Sequence, residues 1–82
     1  MRFLIVDDKK ETLLLLETLF KGSGHKVISV PNGAEALHIL ADQRIDMIIS
    51  DILMPGMDGY QLCRNVKGDD NLKSIPFVFY TA

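Results

Sequence analysis

The stretch that decides the fold runs from Ile48 to Gly59 and reads IISDILMPGMDG. Its apolar start ends at a carboxylate, Asp51, and this is typical of a buried strand in a parallel sheet. A loop containing Pro55 and a glycine follows, and then Asp58 stands where an aspartate is a favoured helix N-cap. The stretch therefore predicts a strand over 46–50 running into Asp51, a loop, and a helix over about 58–67.

The same alternation of strand and helix continues on both sides of this stretch. Apolar runs of β-forming residues predict strands, and apolar spacing of three and four residues, closed by glycines, predicts helices. The further predicted elements are strands at 2–6, 26–30 and 77–81 and helices at about 9–21 and from the cap at Asn32 to about 41. The order β-α-β-α-β-α-β predicts an α/β fold with a parallel sheet covered on both faces.

Composition excludes several classes of protein. A chain of 82 residues is large enough for one small domain, and 48% hydrophobic and 24% charged residues are ordinary for a globular protein. The net charge of −2 argues against nucleic-acid binding, and the single cysteine excludes an internal disulfide or a multi-cysteine zinc site. The absence of a long apolar stretch, together with a carboxylate pair close to the N-terminus, predicts no membrane span, no signal peptide and a cytoplasmic location.

Polar residues stand where three of the predicted strands end. Asp7 and Asp8 follow the first strand, Asp51 follows the third and Thr81 ends the fourth. In an open parallel sheet functional residues gather at the carboxyl ends of the strands, so neighbouring strands would bring these four together. Clustered carboxylates suit a hard cation such as Mg²⁺ or Mn²⁺, and an aspartate can act as a nucleophile toward phosphorus.

These residues resemble the receiver domain of two-component response regulators. The matching motifs are FLIVDD at the N-terminus, IISDILMPGMDG around Asp51 and IPFVFYTA at the end. The resemblance covers the whole chain, and it implies a flavodoxin-like doubly wound sheet with strand order 2-1-3-4 for the strands present here. It also implies phosphotransfer from a histidine kinase or a phosphotransfer protein.

The resemblance assigns a role to each matching residue. Asp51 would be the phosphoacceptor. Asp8 would be a direct ligand of Mg²⁺ and Asp7 a ligand acting more through water, with Asp51 itself and the backbone carbonyl of Leu53 completing the protein ligands. Thr81 would be the switch hydroxyl that turns toward the phosphoryl group.

The family pattern continues beyond residue 82. We therefore expect residues 1–82 to form a receiver domain without the family's fourth helix, fifth strand and fifth helix. In the family a lysine at the end of the fifth strand contacts the phosphoryl group, and this lysine would be missing too. Neither Lys67 nor Lys73 lies at a strand end to replace it, and we expect weak or absent phosphorylation of these 82 residues alone. An exposed fourth strand, or an uncovered sheet face, predicts self-association.

Two other functions are compatible with parts of the pattern. One is a phosphorylation-independent interaction module that keeps the receiver fold. The other is an aspartyl phosphatase of the haloacid-dehalogenase type, which would need Asp-x-Asp after its first strand, where this chain has adjacent aspartates. We favour a phosphotransfer substrate, which is not an enzyme in the usual sense.

Overall fold

Seven elements alternate along the chain in the computed structural model, which describes residues 1–80. They are β1 (Arg2–Val6), α1 (Lys10–Gly22), β2 (Lys26–Val30), α2 (Gly33–Asp42), β3 (Met47–Asp51), α3 (Gly59–Lys67) and β4 (Phe77–Tyr80). The predicted order of strands and helices is confirmed, and the helix and strand bounds within the described residues agree with the predicted ones to within one residue.

The four strands form one parallel sheet in the order β2-β1-β3-β4. Ile5 is level with Ser29 of β2 and with Ile49 of β3, and Asp51 is level with Tyr80 of β4. The predicted α/β fold and the predicted strand order are therefore confirmed. Because all four strands run the same way, the carboxyl ends of β1, β3 and β4 lie side by side at the same end of the sheet.

The main core lies between the sheet and the pair α2 and α3. Successive strand residues point to opposite faces, so Leu4, Val6 and Ile48 share one face and are completely buried there. Leu62 and Val66 of α3 are also completely buried against them. Residues from β2, α2 and the loops complete this cluster: Val30, Ala36, Leu40, Ile45 and Met54.

The other face of the sheet is covered by α1. Phe3 packs against Phe20 of this helix, with ring centroids 4.8 Å apart, and Ile5 is buried beside it. No residue of α1 itself is buried, although the helix contains a run of four leucines. On the same face Val78 of β4 is level with Ile49 and is 44% exposed. This face is therefore packed much less completely than the other.

The helices on the two faces also begin differently. Asn32 accepts a hydrogen bond from the backbone N–H of Glu35 and caps α2, and Asp58 forms a reciprocal capping box with Gln61 at the start of α3. Both caps were predicted from the sequence. No side chain caps α1, whose N-cap residue is Lys9. Within residues 1–80, none of the helices is long and apolar enough to cross a membrane.

Candidate functional site

Strand ends place two carboxylates in the interior of the molecule. Asp7 follows the last residue of β1 and is 0% exposed, and Asp51 is the last residue of β3 and is 4% exposed. Because β1 and β3 are paired, with Val6 level with Ser50, the two aspartates come next in register on adjacent strands. The predicted convergence of the first and third strand ends is therefore present in the fold.

Asp8 completes a cluster of three carboxylates. One oxygen from each of Asp7, Asp8 and Asp51 lies within 4.8 Å of the others. Asp8 differs from its two neighbours because about a third of its side chain is exposed. Hard divalent cations bind through such sets of carboxylate oxygens, so the donor set fits the ion that the sequence motifs predict.

Hydrogen bonds hold both oxygens of Asp7. Its Oδ1 accepts from the backbone N–H of Lys9 at 2.9 Å, and its Oδ2 accepts a short hydrogen bond from the hydroxyl of Tyr80. Burial raises the pKa of Tyr80 above its usual value, and the hydrogen bond to Asp7 adds to this effect. The phenol therefore stays protonated and remains a donor. Since β3 lies between β1 and β4, Tyr80 reaches across one strand to fix a carboxylate on the next.

Asp51 is held from two directions. Its Oδ1 accepts from the backbone N–H of Ile52 at 2.8 Å, and its Oδ2 accepts from the Lys9 ammonium at 3.1 Å. The carbonyl oxygen of Asp51 accepts from the hydroxyl of the buried Ser50 at 2.8 Å. These contacts fix a nearly buried carboxylate in one orientation.

Lys9, like Tyr80, is a residue of this site that the sequence did not predict. Its Nζ lies 3.1 Å from Asp51, 3.5 Å from Asp8 and 3.6 Å from Asp7, in each case measured to a carboxylate oxygen. The hydrogen bond to Asp51, with the charges of the two other aspartates, raises the pKa of Lys9 above its usual value. Its position directly after an Asp-Asp pair was the available signal, because the turn into α1 brings this residue back over the strand end.

The loop after Asp51 is held tightly at both ends. The backbone N–H of Gly59 donates to the carbonyl oxygen of Ile52 at 2.8 Å. A Cβ atom at Gly59 would collide with the carbonyl oxygen of Asp51 and would lie 2.9 Å from Cα of Ile52. The start of α3 therefore lies directly against the backbone that carries Asp51, and only a glycine fits there. Gly56 has a φ of 76°, which favours glycine in the loop itself.

Two predicted site residues remain to be placed. Leu53 lies in this loop two residues after Asp51, and its side chain is 80% exposed. Its predicted role uses only the backbone carbonyl, and that role stays a prediction. Thr81 lies outside the described residues, so its role as the switch hydroxyl also stays a prediction. Tyr80, which precedes it, was not predicted to take part in the site.

Comparison with known proteins gives one consistent result. The family model of the response regulator receiver domain matches residues 3–82. Response regulator PleD of Caulobacter vibrioides is 38% identical over 81 residues, which are 99% of this chain and 18% of PleD. Protein PilG of Pseudomonas aeruginosa is 35% identical over 82 residues, which are 100% of this chain and 61% of PilG.

A solved structure is similar in fold and in sequence. It is the signal receiver domain of a signal transduction histidine kinase from Syntrophus aciditrophicus, with a TM-score of 0.93 and 42% identity. The match covers 98% of this chain and 61% of that one. The chain thus spans less than two thirds of the length of each of these three proteins.

Proposed function

Because this chain belongs to the response regulator receiver domain family, we propose that it accepts a phosphoryl group on Asp51 in two-component signalling. The donor is a phosphohistidine on a histidine kinase or a phosphotransfer protein. The observation that carries the proposal is the placement of Asp51, a nearly buried carboxylate at the end of β3. Two further carboxylates lie within 4.8 Å of it.

Asp51 is suited to act as the nucleophile. Attack by one of its oxygens on phosphorus forms an acyl phosphate, while the bond between phosphorus and the donor nitrogen breaks and its electron pair returns to the imidazole. The backbone N–H of Ile52 holds Oδ1 at 2.8 Å, so the side chain does not have to be oriented at the moment of transfer. Such positioning is a large part of the catalysis of phosphoryl transfer.

Asp7, Asp8 and Asp51, with the carbonyl of Leu53, are the residues that we propose hold Mg²⁺ or Mn²⁺. When bound, the ion would neutralise charge on the carboxylates and on the transferred phosphoryl oxygens. The hydrogen bonds from Lys9 and Tyr80 fix Asp7 in the direction of the other two carboxylates. The hydroxyl of Thr81, as in the family, would then contact the phosphoryl group.

The test is labelling with acetyl phosphate, read by intact mass and by peptide mapping of the modified aspartate. Labelling of residues 1–82 should be weak, because the family's fifth-strand lysine lies beyond them. We expect whatever label forms to lie on Asp51, to require MgCl₂, and to be lost in EDTA and in Asp51→Asn. Asp70→Asn is the matched control, since its carboxylate is 93% exposed and pairs only with Lys73 among the described residues. Labelling that survives in Asp51→Asn, or that is indifferent to Mg²⁺, would refute the assignment.

A second candidate function is an interaction module that does not need phosphorylation. Lys9 favours it, because its ammonium already contacts all three carboxylates and compensates part of their charge without a metal ion. This function predicts that a partner binds the parent chain and Asp51→Asn with equal affinity. A partner that binds only the phosphorylated chain would exclude it.

Two further expectations belong to the proposed function. A receiver that meets a kinase in the cell interior would be cytoplasmic, without direct contact with nucleic acid. Within residues 1–80, β4 is an edge strand of the sheet, so pairing of a second copy along this strand, or across the uncovered sheet face, remains the predicted route of self-association. A monomeric mass in light scattering across a concentration series would contradict that route.

A further inference from the structure

Lys9 places a positive charge at the centre of the carboxylate cluster. Its Nζ lies 3.1 to 3.6 Å from an oxygen of each of Asp7, Asp8 and Asp51. In the part of the chain that the structure describes, no other Lys or Arg forms an ion pair with any of the three. Lys10, its neighbour at the first position of α1, forms no ion pair within residues 1–80.

We propose that Lys9 is a resident cation of this cluster, that a divalent ion has to displace it, and that it thereby sets the affinity of the cluster for Mg²⁺. This inference rests on the proposed function, because it concerns the same three carboxylates. It goes beyond the proposed ligands, because Lys9 would lower the affinity for Mg²⁺ whereas the three carboxylates provide it.

The geometry makes the two cations exclusive. An ion held by these three carboxylates has to lie in the space between them, and the Lys9 ammonium occupies that space. Two cations at the same oxygens would also repel each other. Metal binding therefore requires the ammonium to leave its contacts.

Lys9 can leave without disturbing the core. About half of its side chain is exposed, and it lies at the N-cap position of α1, where no side-chain cap would be lost. A lysine carries its charge on a flexible four-carbon stem, so the head can move into water. Its departure breaks only the ion pairs with the three aspartates. The binding free energy of the metal has to exceed the free energy of these ion pairs. The hydrogen bond from Tyr80 to Asp7 does not involve Lys9.

The test compares Lys9→Met with Lys10→Met by calorimetric titration of the metal-free chain with MgCl₂. Both variants lose one positive charge at adjacent positions, and methionine keeps the apolar stem of lysine. We expect Lys9→Met to bind Mg²⁺ about threefold more tightly than the parent chain, as expected for loss of partly exposed ion pairs. We expect Lys10→Met to stay within about twofold of the parent, because it changes only the screened long-range field.

A second measurement follows the melting temperature. In EDTA, Lys9→Met leaves three carboxylates without their cation, so it should melt below Lys10→Met. Saturating MgCl₂ should close this gap, because the ion then supplies the missing charge. Lys9→Gln, which keeps a polar head without the charge, should behave as Lys9→Met does.

The outcomes separate this inference from the proposed function. Equal Mg²⁺ affinities in Lys9→Met and Lys10→Met would overturn the inference and leave the metal site intact. Equal melting temperatures of the two variants in EDTA would overturn it as well. Lack of Mg²⁺ binding by the parent chain and by every variant would overturn both the inference and the metal site.

Discussion

The two faces of the sheet are built from the same strands but are packed very differently. On the face toward α2 and α3, Leu4, Leu62 and Val66 are completely buried. On the face toward α1, the helix has no buried residue, and Leu14 and Leu15 are 66% and 60% exposed. Burial of apolar surface is the main source of stability, so most of it should come from the α2 and α3 face.

The candidate site lies at the edge of the less packed face. Asp51 and Tyr80 continue the alternation of Ile49 and Val78, which point toward the α1 face. The strands that carry the site are in turn fixed through Ile48 and its neighbours on the opposite face. The difference teaches that, within residues 1–80, the strands carrying the site are fixed mainly from the face opposite to the one on which the carboxylates point.

The largest expected difference between the faces is in leucine truncation. Leu62→Ala removes a completely buried side chain and should lower the free energy of unfolding by about 3 to 4 kcal/mol. Leu14→Ala, on the opposite helix and 66% exposed, should cost about 0.5 kcal/mol or less. Urea denaturation followed by circular dichroism measures both. Equal losses would show that the two faces contribute equally.

A glycine on each face sharpens the comparison with the same chemical change. Gly59→Ala forces a Cβ against the backbone of Asp51 and Ile52, so it should destabilise the fold by about 2 to 3 kcal/mol. Gly22→Ala, at the end of α1, meets nothing within 4 Å and should be neutral or stabilising by up to about 1 kcal/mol. A well-tolerated Gly59→Ala would mean that α3 can move away from β3.

Loss of one hydroxyl tests the site at the edge of the α1 face. Tyr80→Phe leaves Oδ2 of the buried Asp7 without its donor, and this should cost about 1 to 2 kcal/mol in metal-free buffer. Tyr60→Phe is the control, since Tyr60 is 51% exposed and its hydroxyl makes no hydrogen bond within residues 1–80. It should change stability by less than about 0.5 kcal/mol. Equal effects would show that the Tyr80 hydrogen bond contributes nothing to stability.

The smallest expected effects are at the helix starts. Asp58→Ala removes the capping box of α3 and should cost about 1 kcal/mol. Glu11→Ala removes the acidic residue in the first turn of α1, which has no side-chain cap, and should cost about 0.3 to 0.5 kcal/mol. Thermal melts of both variants under identical conditions measure the difference. A larger loss of stability in Glu11→Ala than in Asp58→Ala would show that the start of α1 contributes more to stability than the start of α3.

The elements and their order could be predicted from local patterns. Asn32 and Asp58 mark helix starts by residue type, and the apolar runs that end at Asp7 and Asp51 mark strands. The strand order came from the family resemblance and is confirmed by the fold. The site was predicted in part, because its three carboxylates were identified and the two residues whose side chains hydrogen-bond to them, Lys9 and Tyr80, were not.

The sequence alone determined that the carboxylates stand where strands end. The carboxyl ends of parallel strands lie together at one end of the sheet, so these residues could be expected to meet there. Only the tertiary structure decided their surroundings. Tyr80 reaches Asp7 across an intervening strand, and Lys9 in the turn before α1 reaches Asp51 at the end of β3. Both contacts join residues far apart in sequence, 73 positions in one case and 42 in the other. No local pattern specifies such pairs, since they depend on strand order, register and side-chain direction together.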